Sequence, residues 1–434
     1  MSKKEKELTS GLLVVLTVII FCCAIKLQGS QGVIVLRIGV YSGSYWDTPN
    51  GDCYQILDHA IRRFQNEHPH VKIEYINGIG TDSYSEWLAE QILKGKEPDL
   101  YFVLPEDFNL LASSGALAKL DHLMKNDKDF HSSMYYEPCL KAGEFDGGQY
   151  ALPHESVPTI MFVNKTLLRE NNIDMPDKNW TWEDFYQICD KITDVEKHRF
   201  GVYDYTWVNA LYSNGTELFS QNGRSCQLTD ERVQEAIRFI RRLNALNEEY
   251  SVTSKDFDLG NVAFRPFLYS EYRTYQPYPW RVKKYTSFEW DGICMPAGPE
   301  GDNVSELHTM LLGLSSRTKH QQEAWEFAKL LSLDEELQKE LYSYSRGISP
   351  LRSVAENEDI INMLRKDIPG GNGFDRATIH KIMSKSVIIP HFTGYDQAMS
   401  MAENAVLQQI NSRQSDDVNM LSIQREINRF LTKQ

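Results

Sequence analysis

The stretch VKIEYINGIGTDSYSEWLAEQILKGKEPDLYFVL, residues 71–104, contains a complete strand–helix–strand unit. Its two ends, Val71–Ile76 and Asp99–Leu104, are apolar runs of strand length. Three apolar side chains at helical spacing line one face of the segment between them: Trp87, Leu88 and Ile92. The unit therefore predicts two parallel strands joined by a helical crossover.

Signals at the ends of this helix, and the residues before the unit, extend the pattern. Ser83 and Glu86 have capping-box spacing, and Gly95 stands where a helix C-terminal cap belongs. Val33–Tyr41 is almost wholly apolar, as is typical of a strand buried on both faces. A second helical face follows it: Tyr54, Leu57, Ile61 and Phe64. Three strands alternating with helices predict an open α/β sheet.

Ligands of open α/β sheets bind just beyond the carboxyl ends of the strands. Two polar and aromatic loops stand at such ends, Ser42–Asp52 after the first strand and Pro105–Phe108 after the third. They offer these candidate site residues: Tyr45, Trp46, Asp47, Glu106 and Asp107. A solvated loop and a helix N-cap are the alternatives for the same residues.

A second α/β unit follows from about residue 155. Thr159–Lys165 and Met310–Ser316 read as strands, and His320–Leu331 as a helix. Thr181 and Asp184 have N-cap spacing, and a hydrophobic staple is expected around them between Trp180 and Phe185. The unit implies a second sheet with its own helices.

The length and charge of the chain restrict its function. A chain of 434 residues suggests two or three folded units. Its net charge of −14 disfavours a nucleic-acid partner, because phosphate binding depends on clustered Lys and Arg. Motifs of hydrolases, metalloproteases, P-loop and dinucleotide-binding proteins are absent from the sequence. We therefore expect no enzyme, no cofactor and no metal site.

The N-terminus has the features of an export segment. Three lysines, Lys3, Lys4 and Lys6, precede an apolar run from Gly11 to Ile25. The run is short for a bilayer span, which needs about 20 residues. We expect residues 1–32 to be an export signal or membrane anchor with a spacer. A lipid-modified cysteine at Cys22 or Cys23 is the alternative, although bulky Phe21 fits a lipoprotein signal badly.

Five cysteines lie beyond that segment, and their spacing is wide. They show neither CxxC nor zinc spacing. We expect isolated buried thiols, with one disulfide as the alternative, among Cys53, Cys139, Cys189, Cys226 and Cys294.

The order of several segments resembles the carbohydrate-type extracellular solute-binding proteins of ABC importers. The resemblance rests on residues 68–80, 87–124, 150–185, 288–301 and 312–332 in this order. The most specific is YALPHESVPTIMFVNKTLLRENNIDMPDKNWTWEDF, residues 150–185, with its Leu-Pro strand, Asn-Lys strand end and Trp-Thr-Trp helix start. The resemblance implies the two-lobed periplasmic-binding-protein-like fold (type II), in which a ligand is held in the cleft by hinge closure.

The same resemblance implies lobe boundaries and further site residues. The first crossing between the lobes falls around Pro153–Pro158. The N-terminal lobe takes residues 33–153 and 290–333, and the C-terminal lobe takes residues 154–289 and 334–434. Further ligand-binding residues implied by the resemblance are Glu155 at the crossing, Tyr205, Trp207, Phe392 and Tyr395, with Ser349 and Arg352 as weaker candidates.

The stretch AFRPFLYSEYRTYQPYPW, residues 263–280, is unusually rich in aromatic rings. Prolines break it, so one helix cannot hold all of its tyrosines. We assign Phe264 and Phe267 to packing. Toward the cleft we place Arg265, Tyr269, Tyr272 and Arg273, and on a connecting wall Tyr275, Tyr278 and Trp280.

The sequence thus predicts an extracellular receptor that captures a carbohydrate and delivers it to the membrane subunits of an ABC importer. Aromatic rings cover the apolar faces of a sugar, and polar side chains bond its hydroxyls. The alternatives are a ligand sensor or scaffold for a membrane partner, and a binder of a non-sugar polar or anionic solute.

Overall fold

The computed structural model describes residues 32–46, 50–220, 222–274, 288–366, 374–411 and 419–433, without the side chains of 365 and 366. The strands in these ranges are β1 (Ile34–Gly39), β2 (Val71–Tyr75), β3 (Leu100–Val103), β4 (Glu144–Phe145), β5 (Gly148–Gln149), β6 (Ala151–Asn164), β7 (Phe200–Val202), β8 (Val262–Leu268), β9 (Trp290–Ile293) and β10 (Leu307–Leu314).

The helices of the first half are α1 (Gln55–Glu67), α2 (Thr81–Leu93), α3 (Phe108–Ser113), α4 (Asp121–Asn126), α5 (Glu137–Lys141), α6 (Lys165–Glu170), α7 (Trp182–Ile192) and α8 (Trp207–Ser213). Those of the second half are α9 (Glu231–Ala245), α10 (Ser254–Asp258), α11 (Tyr269–Thr274), α12 (Gln321–Leu333), α13 (Glu335–Tyr344), α14 (Arg352–Ala355), α15 (Glu358–Lys366), α16 (Arg376–Lys385), α17 (Tyr395–Asn411) and α18 (Met420–Leu431). Single 3-10 turns cover Pro105–Asp107 and Ser132–Met134.

Eight of the described strands form one sheet that passes through β6, and β4 pairs with β5 in a separate two-stranded hairpin. On one side the order is β2-β1-β3-β10-β6, with β1 parallel to β2 and β3 and antiparallel β10 inserted beside β3. On the other side β6 pairs with β8, which pairs with β7, while β9 occupies the opposite edge of β6. The chain therefore folds into two α/β lobes, as predicted.

Strand β6 crosses from one lobe to the other. Its first half, up to Pro158, pairs with β10, and its second half, from Thr159, pairs with β8 and β9. Proline is unusual within a buried strand because it donates no ladder hydrogen bond. Here Pro153 lies beside a register shift and Pro158 lies where pairing changes lobes.

Each lobe has its own apolar core, and a third cluster joins them. The first-lobe core includes Leu36, Leu312 and Trp325, and the second-lobe core includes Phe185 and Phe264. The joining cluster contains side chains from both lobes: Trp46, Phe108, Tyr269, Tyr272 and Phe374. The two lobes are therefore in contact along an apolar seam.

The predicted cap and hydrophobic staple at the N-terminus of α7 are confirmed. Thr181 and Asp184 form a reciprocal capping box, and the Trp180 and Phe185 rings lie 5.4 Å apart. The predicted capping box at Ser83 is wrong, because the N-cap of α2 is Gly80, three residues earlier, and it has no side-chain cap. All five cysteines in the described part of the chain are free, four of them buried.

We propose lobe boundaries that depart from the predicted ones at two places. Strand β9 pairs with the second-lobe half of β6, so pairing associates Trp290–Ile293 with the second lobe. Helix α13 packs against α1, and Leu337 and Leu341 belong to the first-lobe core. We propose that the second crossing lies near residues 305–307 and that the chain to about residue 366 belongs with the first lobe.

Some predictions fall outside the described residues. These are the export segment within residues 1–31, Asp47, and the connecting wall with Tyr275, Tyr278 and Trp280. In the ranges that are described, we find no helix long and apolar enough for a membrane span.

Candidate functional site

The loops at the carboxyl ends of β1 and β3 face the second lobe. Ser270, in α11, donates a hydrogen bond from Oγ to the carbonyl oxygen of Trp46 at 3.3 Å. Asn109 donates to the carbonyl oxygen of Pro390, just before α17, also at 3.3 Å. The strand ends therefore meet the second lobe at the seam. We use the name cleft for the part of the seam that these strand ends form.

Tyr45 and Glu106 come together on the first-lobe side of the cleft. The Tyr45 hydroxyl donates to Glu106 Oε2 at 2.6 Å, and the Tyr45 ring packs edge-on against Trp46 at 4.9 Å. Nearby Asp107 accepts from Ser85 Oγ at 2.6 Å. Burial raises the pKa of Asp107, and the hydrogen bond from Ser85 opposes this rise. This wall offers both ring faces and hydrogen-bonding oxygens.

Glu155 lies on β6 at the crossing and is buried. Its Oε1 accepts hydrogen bonds from Ser345 Oγ at 2.5 Å and from the backbone N–H of Gly347 at 2.6 Å. A Cβ atom on Gly347 would lie 2.4 Å from Glu155 Cγ, so a side chain at that position would displace the carboxylate. The loop after α13 therefore fits closely around Glu155.

A small cavity of about 50 Å³ lies beside Glu155. Its lining includes Tyr41, Trp46 and Ser345. The indole Nε1 of Trp46 is buried without a hydrogen-bond partner in the described part of the chain. Burial raises the pKa of Tyr41 well above its ordinary value, and the negative charge of Glu155 makes a smaller contribution in the same direction. The cavity has room for a few waters, and both Trp46 and Glu155 line it.

Asp204 follows the carboxyl end of β7, and Arg265 lies in the middle of β8, next to the residue that pairs with that end. The Arg265 guanidinium lies 5.0 Å from the Phe257 ring centroid and 3.9 Å from Glu271 Oε1. Asp204 has a positive φ of 63°. Burial raises the pKa of Asp204, and the positive charge of Arg265 opposes this rise. A charged group thus lies at the second-lobe strand ends.

Tyr269 and Tyr272 are buried in the contact between the lobes. Their rings lie 5.9 Å apart, and the Tyr272 ring lies 4.8 Å from that of Phe374. The Tyr272 hydroxyl donates to Asp291 Oδ1 at 3.3 Å. Both tyrosines are therefore packed against other rings, and Tyr272 is also hydrogen-bonded, so they stabilise the seam from within.

The structure separates Tyr205 and Trp207 from the residues of the first-lobe wall. The Tyr205 hydroxyl lies 3.2 Å from Ser213 Oγ, and its ring contacts Phe185 in the second-lobe core. Trp207 is the first residue of α8 and is 2% exposed within the same core. Of the weaker candidates, Ser349 is buried against Gln338.

A larger cavity of about 650 Å³ opens at the edge of the seam. The first lobe contributes the end of α5 and the β4–β5 hairpin, and the second lobe contributes two loops. Residues lining it include Lys141, Glu144, Asp146, Glu217, Arg224, His391 and Phe392. The rings of Phe392 and Tyr395 pack on Phe219 at 5.3 and 5.8 Å. Phe392 therefore lies at the margin of this cavity.

His391 lines the larger cavity and was not expected from the sequence. Its ring lies 4.7 Å from that of Phe108, and its Nδ1 lies 3.1 Å from the carbonyl oxygen of Glu144. Burial lowers the pKa of His391 to about 4. Its position beside Phe392 in HFTGYD is the one sequence signal that pointed to this segment.

The described residues contain no group of three or more His, Cys, Asp or Glu side chains arranged to hold a metal ion. The side chains along the seam offer ring faces, carboxylates, guanidinium groups and the indole N–H of Trp46, which has no hydrogen-bond partner among the described residues. Such groups can bind a polar ligand.

Comparison with known proteins identifies relatives. Residues 50–338 match the model of the bacterial extracellular solute-binding protein family. An uncharacterised lipoprotein encoded in the oleD 5′ region of Streptomyces antibioticus is 25% identical over 284 residues, which cover 61% of this chain. The match spans 60% of that relative's length.

Solved structures also match over almost the whole chain. A cyclic α-maltosyl-1,6-maltose binding protein of Arthrobacter globiformis is 16% identical, with a TM-score of 0.76 over 93% of this chain and 100% of that one. An ABC substrate-binding protein of Listeria monocytogenes in complex with cycloalternan is 19% identical, with a TM-score of 0.68 over 92% and 98%. At such identities the likeness shows the fold.

Proposed function

The chain belongs to the bacterial extracellular solute-binding protein family, and on this premise we propose that it captures a carbohydrate between its lobes and delivers it to an ABC importer. Membership makes the chain a binding protein and not an enzyme. The finer parts of the proposal are the sugar, the importer and the residues that bind.

The observation that carries the proposal is the position of Glu155 and Trp46 on the lining of one cavity at the crossing between the lobes, where the Trp46 indole N–H has no partner among the described residues. An unpaired buried donor costs about 1–3 kcal/mol. A hydroxyl group is both a donor and an acceptor, so it suits a lining that offers an N–H and a carboxylate. The cavity of about 50 Å³ admits single hydroxyl groups and not a whole sugar ring, so we propose that a polyol or sugar held between the lobes reaches it with its edge hydroxyls.

The ring-bearing walls support a sugar ligand in a second way. Sugar rings have apolar C–H faces, and tyrosine and tryptophan combine an apolar body with a polar tip. Tyr45 and Trp46 present such surfaces beside Glu106 on the first-lobe wall. The larger cavity of about 650 Å³ falls within the usual range of ligand pockets, about 300–1,000 Å³.

The charges around the seam favour a neutral ligand over an anionic solute. Arg273 is already bonded to backbone carbonyl oxygens. Arg265 lies against aromatic rings and Glu271. The larger cavity is lined by three carboxylates, those of Glu144, Asp146 and Glu217, against Lys141 and Arg224. An anion therefore meets more repulsion than attraction there.

We propose that the chain works at the extracellular face of the membrane, held by its N-terminal segment. The lysines and the apolar run from Gly11 to Ile25 support export. A relative described as a lipoprotein agrees with an anchor of some kind. Mass spectrometry of the membrane-extracted protein distinguishes a retained segment from a lipid-modified Cys22 or Cys23.

A thermal-shift screen over sugars, polyols and anions tests the proposal. A ligand that binds only the folded state raises the apparent melting temperature. At a free ligand concentration of one hundred times the dissociation constant, the free energy of unfolding rises by about 2.7 kcal/mol. We expect a neutral mono- or oligosaccharide to raise it. If no sugar shifts the melting temperature at millimolar concentration while an anion does, the carbohydrate proposal fails.

A further inference from the structure

Arg273 joins α11 of the second lobe to the end of α13, which packs on the first lobe. Its Nη2 donates to the carbonyl oxygen of Tyr342 at 2.7 Å, and its Nη1 lies 3.3 Å from the carbonyl oxygens of Ser345 and of Gly347. The guanidinium also lies 5.4 Å from the Tyr342 ring centroid. One cation thus holds three carbonyl groups at a helix C-terminus, where the helix dipole favours positive charge.

The same loop is held from its other side by Glu155. The backbone N–H of Gly347 and the hydroxyl of Ser345 donate to the Glu155 carboxylate. Arg273 therefore donates hydrogen bonds to the carbonyl oxygens of Ser345 and Gly347. Glu155 accepts hydrogen bonds from the hydroxyl of Ser345 and the backbone N–H of Gly347. The loop is the only link between the two charged side chains that the described contacts show.

We propose that Arg273 is a positioning residue for ligand capture, which fixes the 345–347 loop when the lobes close and thereby holds Glu155 in place. The proposal rests on the function proposed above, because it assigns Glu155 to the ligand site. It extends that function by making lobe closure and the orientation of Glu155 one event. Without Arg273, the loop keeps its bonds to Glu155 but loses its attachment to the second lobe.

A first experiment needs no ligand. Hydrogen exchange of the backbone amides of residues 345–349 is measured in the wild type, Arg273→Ala and Arg273→Lys. Hydrogen bonds from a charged donor justify an expected acceleration of about ten- to a hundredfold at the Gly347 amide in Arg273→Ala. Lys can bond only part of the set, so we expect an intermediate rate.

The matched control is Arg238→Ala. Arg238 is an exposed arginine of the second lobe, paired with Glu231 on the surface of α9. Its loss removes one positive charge from the same lobe without touching the loop. Equal exchange of the Gly347 amide in Arg273→Ala and Arg238→Ala would overturn the proposal.

Gly347→Ala tests the same coupling from the loop side. The backbone of Gly347 is outside the positive-φ region, so alanine is conformationally allowed, yet its Cβ would lie 2.4 Å from Glu155 Oε1. We expect this variant to move Glu155 with Arg273 intact. If Arg273→Ala does not fold, Arg273→Lys still tests whether Arg273 fixes the loop. Gly347→Ala then tests whether the loop holds Glu155 in place.

A second experiment uses calorimetry with maltotetraose and with any sugar that the thermal-shift screen identifies. We expect Arg273→Ala and Gly347→Ala to weaken binding at least tenfold, mainly through faster dissociation. If the wild type binds no sugar, the proposed function fails while the exchange result still judges Arg273. If the wild type binds and both variants bind equally well, the positioning role is wrong.

Discussion

The Glu155 carboxylate accepts a hydrogen bond from the backbone N–H of Gly347 at 2.6 Å, across 192 positions of the chain. It connects the strand that crosses between the lobes to the loop that follows α13. A carboxylate with two of its acceptor positions filled in this way is held in one orientation. Trp46 lines the cavity beside this carboxylate.

Trp46→Phe should weaken sugar binding and lower stability modestly, because phenylalanine leaves part of the buried indole's space empty. The substitution removes the unpartnered Nε1–H and keeps an aromatic ring in the apolar cluster. If a ligand hydroxyl accepts from this donor, its loss costs about 0.5–1.5 kcal/mol of affinity, about two- to tenfold. Calorimetry and thermal unfolding together measure both quantities. A drop in melting temperature with unchanged affinity would contradict the assignment.

Trp207→Ala should lower stability far more than affinity. Trp207 is 2% exposed in the second-lobe core, and removal of such a side chain costs about 3–5 kcal/mol. Unfolding in denaturant measures this loss of free energy, provided that the dependence of the unfolding free energy on denaturant concentration is the same for the variant and the wild type. Sugar affinity of the remaining folded protein at low temperature should stay within a few-fold of the wild type. Weak binding by a variant of wild-type stability would return Trp207 to the ligand site.

The seam at His391 should weaken in acid. Burial holds the pKa of His391 near 4 in the folded protein, against an ordinary value of about 6.5. Between these values the unfolded chain binds a proton that the folded chain does not. Stability is therefore full above about pH 6.5 and falls as the pH drops toward 4, by on the order of 1–3 kcal/mol.

His391→Gln removes this titration and serves as the comparison. The difference in unfolding free energy between wild type and variant, followed from pH 7 to pH 4, isolates the contribution of the one imidazole. We expect the wild type to lose stability relative to the variant over this range. Parallel pH profiles would show that His391 titrates normally.

Asp375 should contribute stability that disappears only in strong acid. Burial alone would raise its pKa, but hydrogen bonds from Lys178 and Thr378 outweigh burial and lower the pKa of Asp375 to about 2. The contribution is present above about pH 4 and is lost as the pH falls toward 2. Because both partners are more than a third exposed, we expect no more than about 1 kcal/mol.

Asp375→Asn gives the measurement for this pair. Asparagine keeps the N-cap bond to Thr378 and removes the charge. The variant should be slightly less stable than the wild type at pH 6 and equal to it near pH 2. A gap between the two that persists at pH 2 would mean that the ion pair is not its cause.

Strand positions followed from the sequence because the apolar runs have strand length. Val33–Tyr41 became β1 (Ile34–Gly39), and Asp99–Leu104 became β3 (Leu100–Val103). The predicted burial of the first strand on both faces is wrong, because Val35 and Arg37 are exposed. The strand-end rule then brought Tyr45, Trp46 and Glu106 together, although Tyr45 and Glu106 are 61 positions apart. This contact was predictable because the carboxyl ends of parallel strands meet at one edge of a sheet.

The remaining parts depend on contacts distant in sequence. Arg273 bonds to carbonyl groups 69 to 74 positions away, and backbone carbonyls leave no signature in the residue types that carry them. Tyr205 and Trp207 were expected in the cleft because the family resemblance implies aromatic contacts from this strand end. Their burial in the second-lobe core depends on packing against residues elsewhere in the chain, which the local sequence does not show.

Strand β6 changes its pairing partners at a proline. Pairing passes from β10 to β8 and β9 between Pro158 and Thr159, and Pro158 has no N–H that a ladder bond could use. The proline ring also fixes φ at Pro158, so a change of angle between the lobes would fall on the torsions of the neighbouring residues. Such a change would leave the strand pairs of each lobe in place, but it would have to part the apolar cluster that joins the lobes. Buried side chains, more than the connecting strand, therefore hold the two lobes in this arrangement.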